Sequence, residues 1–171
     1  MTPEKRTSLY LVPTPIGNLS DITLRALEVL KDANLILAED TRTSGRLLKH
    51  YGIAKPLQSF HNFNEHRILD SLIRRMKEGE VMALVSDAGT PGINDPGNYL
   101  VMKALELIPD LKIIPIPGAN AAITALSVSG FPSDKFIFLG FPPHKKGRQT
   151  FFQRVGLYED TVVFYESKHR I

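Results

Sequence analysis

The sequence predicts an α/β protein built on a largely parallel sheet, and three observations carry that prediction. Apolar runs alternate with segments of helical period along the chain, the order that successive strand–helix units produce. One run, VMALVSD from Val81 to Asp87, is almost continuously apolar, as a strand covered on both faces must be. Prolines and glycines gather where such runs end, which places turns and loops at strand termini.

Taken in order, SLYLVP (Ser8 to Pro13) is the first strand. DITLRALEVLKDA follows as an amphipathic helix carrying Ile22, Leu24, Leu27, Val29 and Leu30, with Asp21 as its cap. NLILAED (Asn34 to Asp40) is a second strand ending in charge, and TSGRLLKHYG a helix stopped at Gly52. PLQSF is a short third strand, after which Asn64 caps a helix over NEHRILDSLIRRMKEG that ends at Gly79. The central strand VMALVSD then opens into AGTPGINDPG, where Asp95 and Pro96 suit an N-cap and a first helical position. The helix beyond runs through Tyr99, Val101, Met102, Leu105 and Leu107. KIIPIPG is a fifth strand breaking at Pro115 to Gly118, and ANAAITALSVSG a small-residue helix. We expect a domain boundary there, giving an N-terminal α/β domain over 1–116 and a partial second domain over 117–171. In the latter, KFIFLGF and TVVFYES are strands around a short helix near RQTFFQRV. Two or three strands do not readily close a stable domain, so we expect a larger natural protein that continues past Ile171. No repeat or low-complexity segment interrupts this order.

With 171 residues, 43% of them apolar, the chain can bury a substantial core. It has no cysteine, which excludes a disulfide framework and a zinc–thiolate site and makes an intracellular setting the simpler reading. No apolar run approaches the roughly 20 residues of a membrane span, and the polar start MTPEKRTS lacks a signal peptide's apolar segment. The expectation is a cytoplasmic protein with no membrane partner. A net charge of +3 does not by itself point to nucleic acid. The basic residues do cluster: Arg42, Arg46 and Lys49; Arg74, Arg75 and Lys77; His144, Lys145, Lys146 and Arg148; Lys168, His169 and Arg170. Each cluster is either a solvated face or a set of phosphate contacts.

In an open parallel sheet, ligands bind outside the carboxyl ends of the strands. Three loops belong there: VPTPIGNLSD, SDAGTPGINDPG and IPGANAA. Glycine lets a ligand approach the main chain, and proline holds a loop in one shape, which lowers the ordering cost of binding. Asp87 can accept hydrogen bonds from a ribose or an amine, or cap a turn; Asn120 can bind or cap the helix it precedes. The phosphate-loop and dinucleotide fingerprints GxxxxGK[ST] and GxGxxG are absent, as is a GxSxG nucleophile turn. The five histidines are dispersed, so no metal site is expected.

The segments VPTPIGNLSDITLRAL, AEDTR, SFHNFNE, VSDAGTPGINDPG, IPGANAAITAL and FYES-HR closely resemble the ribosomal small-subunit methyltransferase I family, within the tetrapyrrole methylase superfamily. The resemblance runs from about Leu9 onward. It implies two α/β domains, the first with the largely parallel sheet and the second with a mixed sheet, incomplete here. The cofactor, S-adenosyl-L-methionine, would lie in the cleft between them, and the protein would act as a homodimer. The implied reaction is methylation of the ribose 2′-hydroxyl of a cytidine in the decoding region of 16S rRNA, so that 16S rRNA or the small ribosomal subunit is the partner. By motif, the implied cofactor residues are Pro15 and Ile16, then Val85, Ser86, Asp87 and Thr90, then Asn120 and Ala121, with Tyr165 near the methionine end. Where members read ESPHR, this chain has Glu166, Ser167, Lys168, His169 and Arg170. Pro13 and Asn94 are milder departures, and the family's final portion is absent.

A ribose hydroxyl is a poor nucleophile at neutral pH, and a positioned base would help it react. The candidates are Glu39, Asp40 and Arg42 of AEDTR and Glu65 of NFNE, with Asp40 and Arg42 taken as the pair at the reacting end. Arg42 would hold a phosphate, or pair with Asp40. Arg42 to Lys49 and His144 to Arg148 are the candidate RNA phosphate contacts, with Phe60 and Phe63 as stacking surfaces or core. Two other readings compete: a small-molecule methyltransferase acting on a tetrapyrrole, and a non-catalytic RNA-binding module.

Overall fold

The structure is a computed structural model that describes residues 8–167, 169 and 170. Lys168, the first seven residues of the polar start and Ile171 lie outside the described residues. Two compact units emerge, Met1–Ala119 and Asn120–Ile171.

In the first unit the strands are β1 (Ser8–Leu11), β2 (Leu35–Ala38), β3 (Leu57–Ser59), β4 (Met82–Val85) and β5 (Lys112–Pro115). The helices between them are α1 (Leu24–Asp32), α2 (Thr41–His50), α3 (Glu65–Lys77) and α4 (Gly97–Leu107). The strands form one parallel sheet in the order β3-β2-β4-β1-β5, which makes β1 and β4 neighbours although more than 60 residues separate them. Side-chain alternation sends Leu9, Leu35, Leu37, Met82 and Leu84 to one face, where α3 and α4 cover them with Leu69, Leu72, Ile73, Met76, Leu100 and Ala104. Ile36, Ala38, Ala83 and Val85 go to the other, against Ala26 and Leu30 of α1 and Leu48 of α2. Both faces of β2 and β4 are thus buried, and this is why those strands read as unbroken apolar runs.

Local chemistry sets the helix ends, sometimes differently from the sequence reading. Asp21 does not cap α1; it ends a short 3-10 turn, Leu19–Asp21, capped by Asn18. Thr23 is the cap, its backbone extended and its hydroxyl accepting from Ala26 N at 3.1 Å. Leu24 accordingly falls outside the apolar stripe and is exposed. The second helix starts at Thr41 rather than Thr43, because Asp40 leaves the strand with extended backbone and accepts from Arg42 N. Asn64 precedes α3 without capping it: its side chain turns back to accept from His61 N and to donate to Ser59. Ahead of α4, Asp95 Oδ1 accepts from both Gly92 N and Gly97 N at 2.8 Å, tying the glycine-rich loop to the start of the helix. That helix buries Gly97, Leu100 and Ala104, leaving Met102 and Leu105 exposed.

The second unit contains α5 (Ala121–Val128), β6 (Phe136–Phe138), α6 (Arg148–Val155) and β7 (Thr161–Val163), with β6 and β7 paired in parallel. Edge-to-face contacts among Phe151, Phe152 and Phe164 hold α6 to the segment after β7. Glu166 is the polar centre of this unit, pairing with Arg148 at 2.6 Å and Arg170 at 2.7 Å. Burial alone would raise its pKa, but the hydrogen bond from Arg148 and the charges of both arginines hold it below the usual carboxylate range.

Candidate functional site

The adjacency of β1 and β4 brings the first and second of the three strand-end loops together at the carboxyl end of the sheet. Thr14 and Gly89 form an isolated antiparallel bridge, with Thr14 N donating to Gly89 O at 3.0 Å and Gly89 N to Thr14 O at 2.9 Å. Two buried hydroxyls reinforce it: Thr14 Oγ1 donates to Ser86 O, and Ser86 Oγ to Gly89 O. Gly89 has φ +86° and Gly92 the same value, a region that only glycine occupies without strain. The third segment is joined by Thr90, whose hydroxyl donates to Ala119 O at 2.9 Å. Gly118 is needed for the same closeness, since a Cβ there would stand 2.8 Å from Pro13 Cβ.

This geometry assigns separate work to the residues singled out from the sequence. Val85 is 3% exposed and belongs to the core, so only its main chain can reach a ligand. The Ser86 and Thr90 hydroxyls are engaged within the loops. Pro15 and Ile16 are half-buried, and Ile16 packs over Gly89. Asp87 is exposed; its Oδ1 accepts from Asp40 N at 3.0 Å, which links the end of β4 to the end of β2. In the second unit, Asn120 caps α5 by accepting from Ile123 N, and Ala121 is the first residue of that helix. Tyr165 packs in that unit against Phe138 and Phe141, with its main-chain N–H on Gly140 O.

Asp40 and Arg42 do meet. The carboxylate accepts from Arg42 N, Nε and Nη2, the last at 2.7 Å. The side-chain hydrogen bond from Arg42 is the main cause of a pKa lowered to about 2. Glu39, one residue earlier and half-buried, is shifted the other way: burial and the negative charges of Asp87 and Asp95 raise its pKa. Of the predicted aromatic surfaces, Phe60 is 1% exposed and closes the core over β3 and α3, so it cannot stack on a base; Phe63 is 98% exposed. Arg148 and Arg75 are held by Glu166 and Glu80, whereas Arg46, Lys49, His144, Lys145 and Lys146 are exposed.

Between the first loop and α2, wholly within the first unit, lies a pocket of about 280 Å³. Thr14, Pro15, Gly17 and Leu19 form one wall, Thr43, Ser44, Arg46 and Leu47 of α2 the other, and Ser86 and Asp87 the floor. Thr14 and Ser44 escaped the sequence reading. The available signal was a hydroxyl residue on an otherwise apolar stripe, Ser44 beside Leu47 and Leu48, and a threonine between two prolines.

Comparison with known proteins agrees with this architecture. The profile of the Tetrapyrrole (Corrin/Porphyrin) Methylases family matches residues 8–171. A relative from Escherichia coli O157:H7 named Ribosomal RNA small subunit methyltransferase I is 52% identical over 164 residues, covering 95% of this chain and 57% of its own length. A relative of the same name from Halalkalibacterium halodurans is 48% identical over 169 residues, covering 98% of this chain and 58% of its own. The chain thus spans well under two thirds of the length of these curated relatives. Among solved structures, a uroporphyrin-III-C-methyltransferase from Thermus thermophilus superposes with a TM-score of 0.59 at 26% identity, over 81% of this chain and 61% of that one. A diphthine synthase superposes with a TM-score of 0.67 at 16% identity, over 95% and 65%, a likeness of fold. With the profile matched from β1 to the end of the chain, the protein belongs to the tetrapyrrole (corrin/porphyrin) methylase family.

Proposed function

We propose that this chain is part of an S-adenosylmethionine-dependent enzyme that methylates the ribose 2′-hydroxyl of a cytidine in the decoding region of 16S rRNA, acting as a homodimer in the cytoplasm. The observation that carries the reading is the roughly 50% identity, over almost the whole of this chain, to relatives named for methylation of small-subunit ribosomal RNA. Among the described residues no helix is long and apolar enough to cross a membrane.

The loops fit the cofactor. Pro15, Ile16 and the main chain from Val85 to Thr90 are fixed before any ligand arrives. Asp87 keeps a carboxylate exposed at their edge, an acceptor for a ribose hydroxyl or an amine. In the second unit the family motifs indicate Asn120, Ala121 and Tyr165. S-adenosylmethionine, when bound, supplies a methyl group made electrophilic by its sulfonium. The chain's own task would be to position the ribose hydroxyl beside that methyl group and to accept the hydroxyl proton. Asp40, at a pKa of about 2, is a weak proton acceptor; it fixes Arg42, whose exposed guanidinium is placed for a phosphate. Glu39, with its raised pKa, is the better acceptor in the same turn.

Calorimetry with S-adenosylmethionine, followed by mass spectrometry of small-subunit RNA after incubation, tests the proposal. A methylated cytidine ribose is the expected product. Transfer to a porphyrin precursor instead, or no cofactor binding, would replace the reading with one of its competitors.

A further inference from the structure

The pocket between the first loop and α2 contains one polar group with nothing to satisfy it. Ser44 is 2% exposed, lines the pocket, and its Oγ has no hydrogen-bond partner. A helical serine ordinarily returns its hydroxyl to the carbonyl one turn back, and a buried hydroxyl left unpaired costs about 1–3 kcal/mol. An unpaired group of this kind, on a residue that lines a cavity, marks that wall as a candidate for ligand binding.

The remaining lining specifies the ligand. Pro15, Leu19 and Leu47 offer apolar surface against which a flat ring can lie; Thr43, Ser44 and Asp87 offer hydrogen-bonding groups; and Arg46, exposed at the mouth, has no ion-pair partner among the described residues. An apolar slot, a polar edge and an outer cation together suit a nucleotide: base, sugar and phosphate in that order inward to outward. Volume narrows the choice. About 280 Å³ lies at the lower limit of the roughly 300–1,000 Å³ of ordinary ligand pockets, adequate for one nucleoside and far too small for a tetrapyrrole macrocycle. Its floor, Ser86 and Asp87, and Pro15 of its wall belong to the loops assigned to the cofactor, while α2 contributes to no expected cofactor contact. A ligand seated there therefore lies against the cofactor loops on one side and α2 on the other.

We infer that this pocket receives a single unstacked nucleotide of the RNA substrate, with the Ser44 hydroxyl bonding the base or sugar and Arg46 the adjoining phosphate. The inference rests on the RNA-methylation reading and adds the place where the substrate's nucleotide is held. Sequence-specific RNA recognition favours unstacked nucleotides whose bases can be splayed out and held in this way.

The test uses the full chain and two probes, cytidine 5′-monophosphate and S-adenosylmethionine, each titrated by calorimetry. Two variants are compared with the parent: Ser44→Leu, which fills the pocket, and Arg46→Glu, which lies on the surface and leaves the core untouched. The expected result is nucleotide affinity reduced at least tenfold by Ser44→Leu and at least fivefold by Arg46→Glu, with cofactor affinity changed less than twofold by Arg46→Glu. Nucleotide affinity unchanged in Arg46→Glu overturns the inference even if Ser44→Leu fails to fold, and so does a parent chain that does not bind the nucleotide. Parallel loss of cofactor affinity in Arg46→Glu also overturns it, because the pocket would then be part of the cofactor site. A parent chain that binds the nucleotide but not S-adenosylmethionine refutes the methyltransferase reading and leaves a nucleotide pocket.

Discussion

Gly97 is the residue on which the glycine-rich loop turns into α4, and replacing it with alanine should be disproportionately costly. A Cβ at this position would lie 2.8 Å from Asp95 Oδ1, 2.8 Å from Leu84 Cδ2 and 2.9 Å from Gly92 N. Leu84 is 2% exposed in the middle of β4 and has nowhere to go, and Gly92 N is main chain. The easiest relief is to move Asp95, which breaks the bonds it accepts from Gly92 and Gly97. Overpacking of this kind costs about 1–3 kcal/mol, and each weakened hydrogen bond adds about 0.5–1.5 kcal/mol. Alanine's better helix propensity returns up to about 1 kcal/mol. The net expectation is a loss of about 2–3 kcal/mol from these terms. At about 2–4 °C per kcal/mol for a chain of this size, the melting temperature should fall by about 4–12 °C. Gly17→Ala is the matched control, since nothing stands within 4 Å of a Cβ there and the backbone is not left-handed; it should stay within about 0.5 kcal/mol of the parent. Urea unfolding followed by circular dichroism measures both. If Gly97→Ala unfolds at the same denaturant concentration as Gly17→Ala, the loop is not packed as described and the reasoning fails.

Asp87→Ala should weaken S-adenosylmethionine binding by at least tenfold in calorimetry while α2 and the sheet remain folded; retained affinity would remove Asp87 as the cofactor's anchor. For Glu39 the pKa is raised in the folded state, so its ionisation works against folding: stability falls as pH rises from the unfolded value of 4.5 through the folded one. Glu39→Gln should therefore stabilise the protein at pH 7 and not below about pH 4, and should abolish the acidic limb of the methyl-transfer pH profile if Glu39 is the proton acceptor. Asp40→Asn, which keeps a helix cap, should leave that limb in place; its disappearance would shift the role to Asp40.

Much of the first unit's fold was legible because buried parallel strands and amphipathic helices leave different periods in a sequence. Val81 to Asp87 could be assigned as the central strand from its continuous apolar character, and β4 does sit third in the sheet with strands on both sides. What could not be read was the spatial order of the strands, and with it the fact that β1 and β4 adjoin, since period carries no information about neighbours. Cap positions failed for a related reason. Asp21 and Thr23 are both good caps by type, and only the 3-10 turn that occupies Asp21 decides for Thr23. The site divides the same way. Loop composition singled out three segments at strand ends, but the partners that consume Ser86, Thr90 and Arg148, and the one that Ser44 lacks, are tertiary facts.

Those consumed partners give loops so rich in glycine a fixed shape. Flexible loops must be ordered on binding, at about 1–2 kcal/mol per residue fixed. Here the reciprocal Thr14–Gly89 bonds and the Thr14 and Ser86 hydroxyls do that ordering during folding instead. Thr14→Val separates the two effects, because it keeps shape and β-branching but deletes the donor to Ser86 O. Thr14 is 3% exposed, so the orphaned carbonyl and lost bond should lower stability by about 1–3 kcal/mol. If the clamp preorganises the cofactor loops, affinity for S-adenosylmethionine should fall as well, with a less favourable binding entropy, even though the threonine hydroxyl is already committed to protein. A variant that is less stable but binds with unchanged affinity and entropy would show that the clamp serves folding alone.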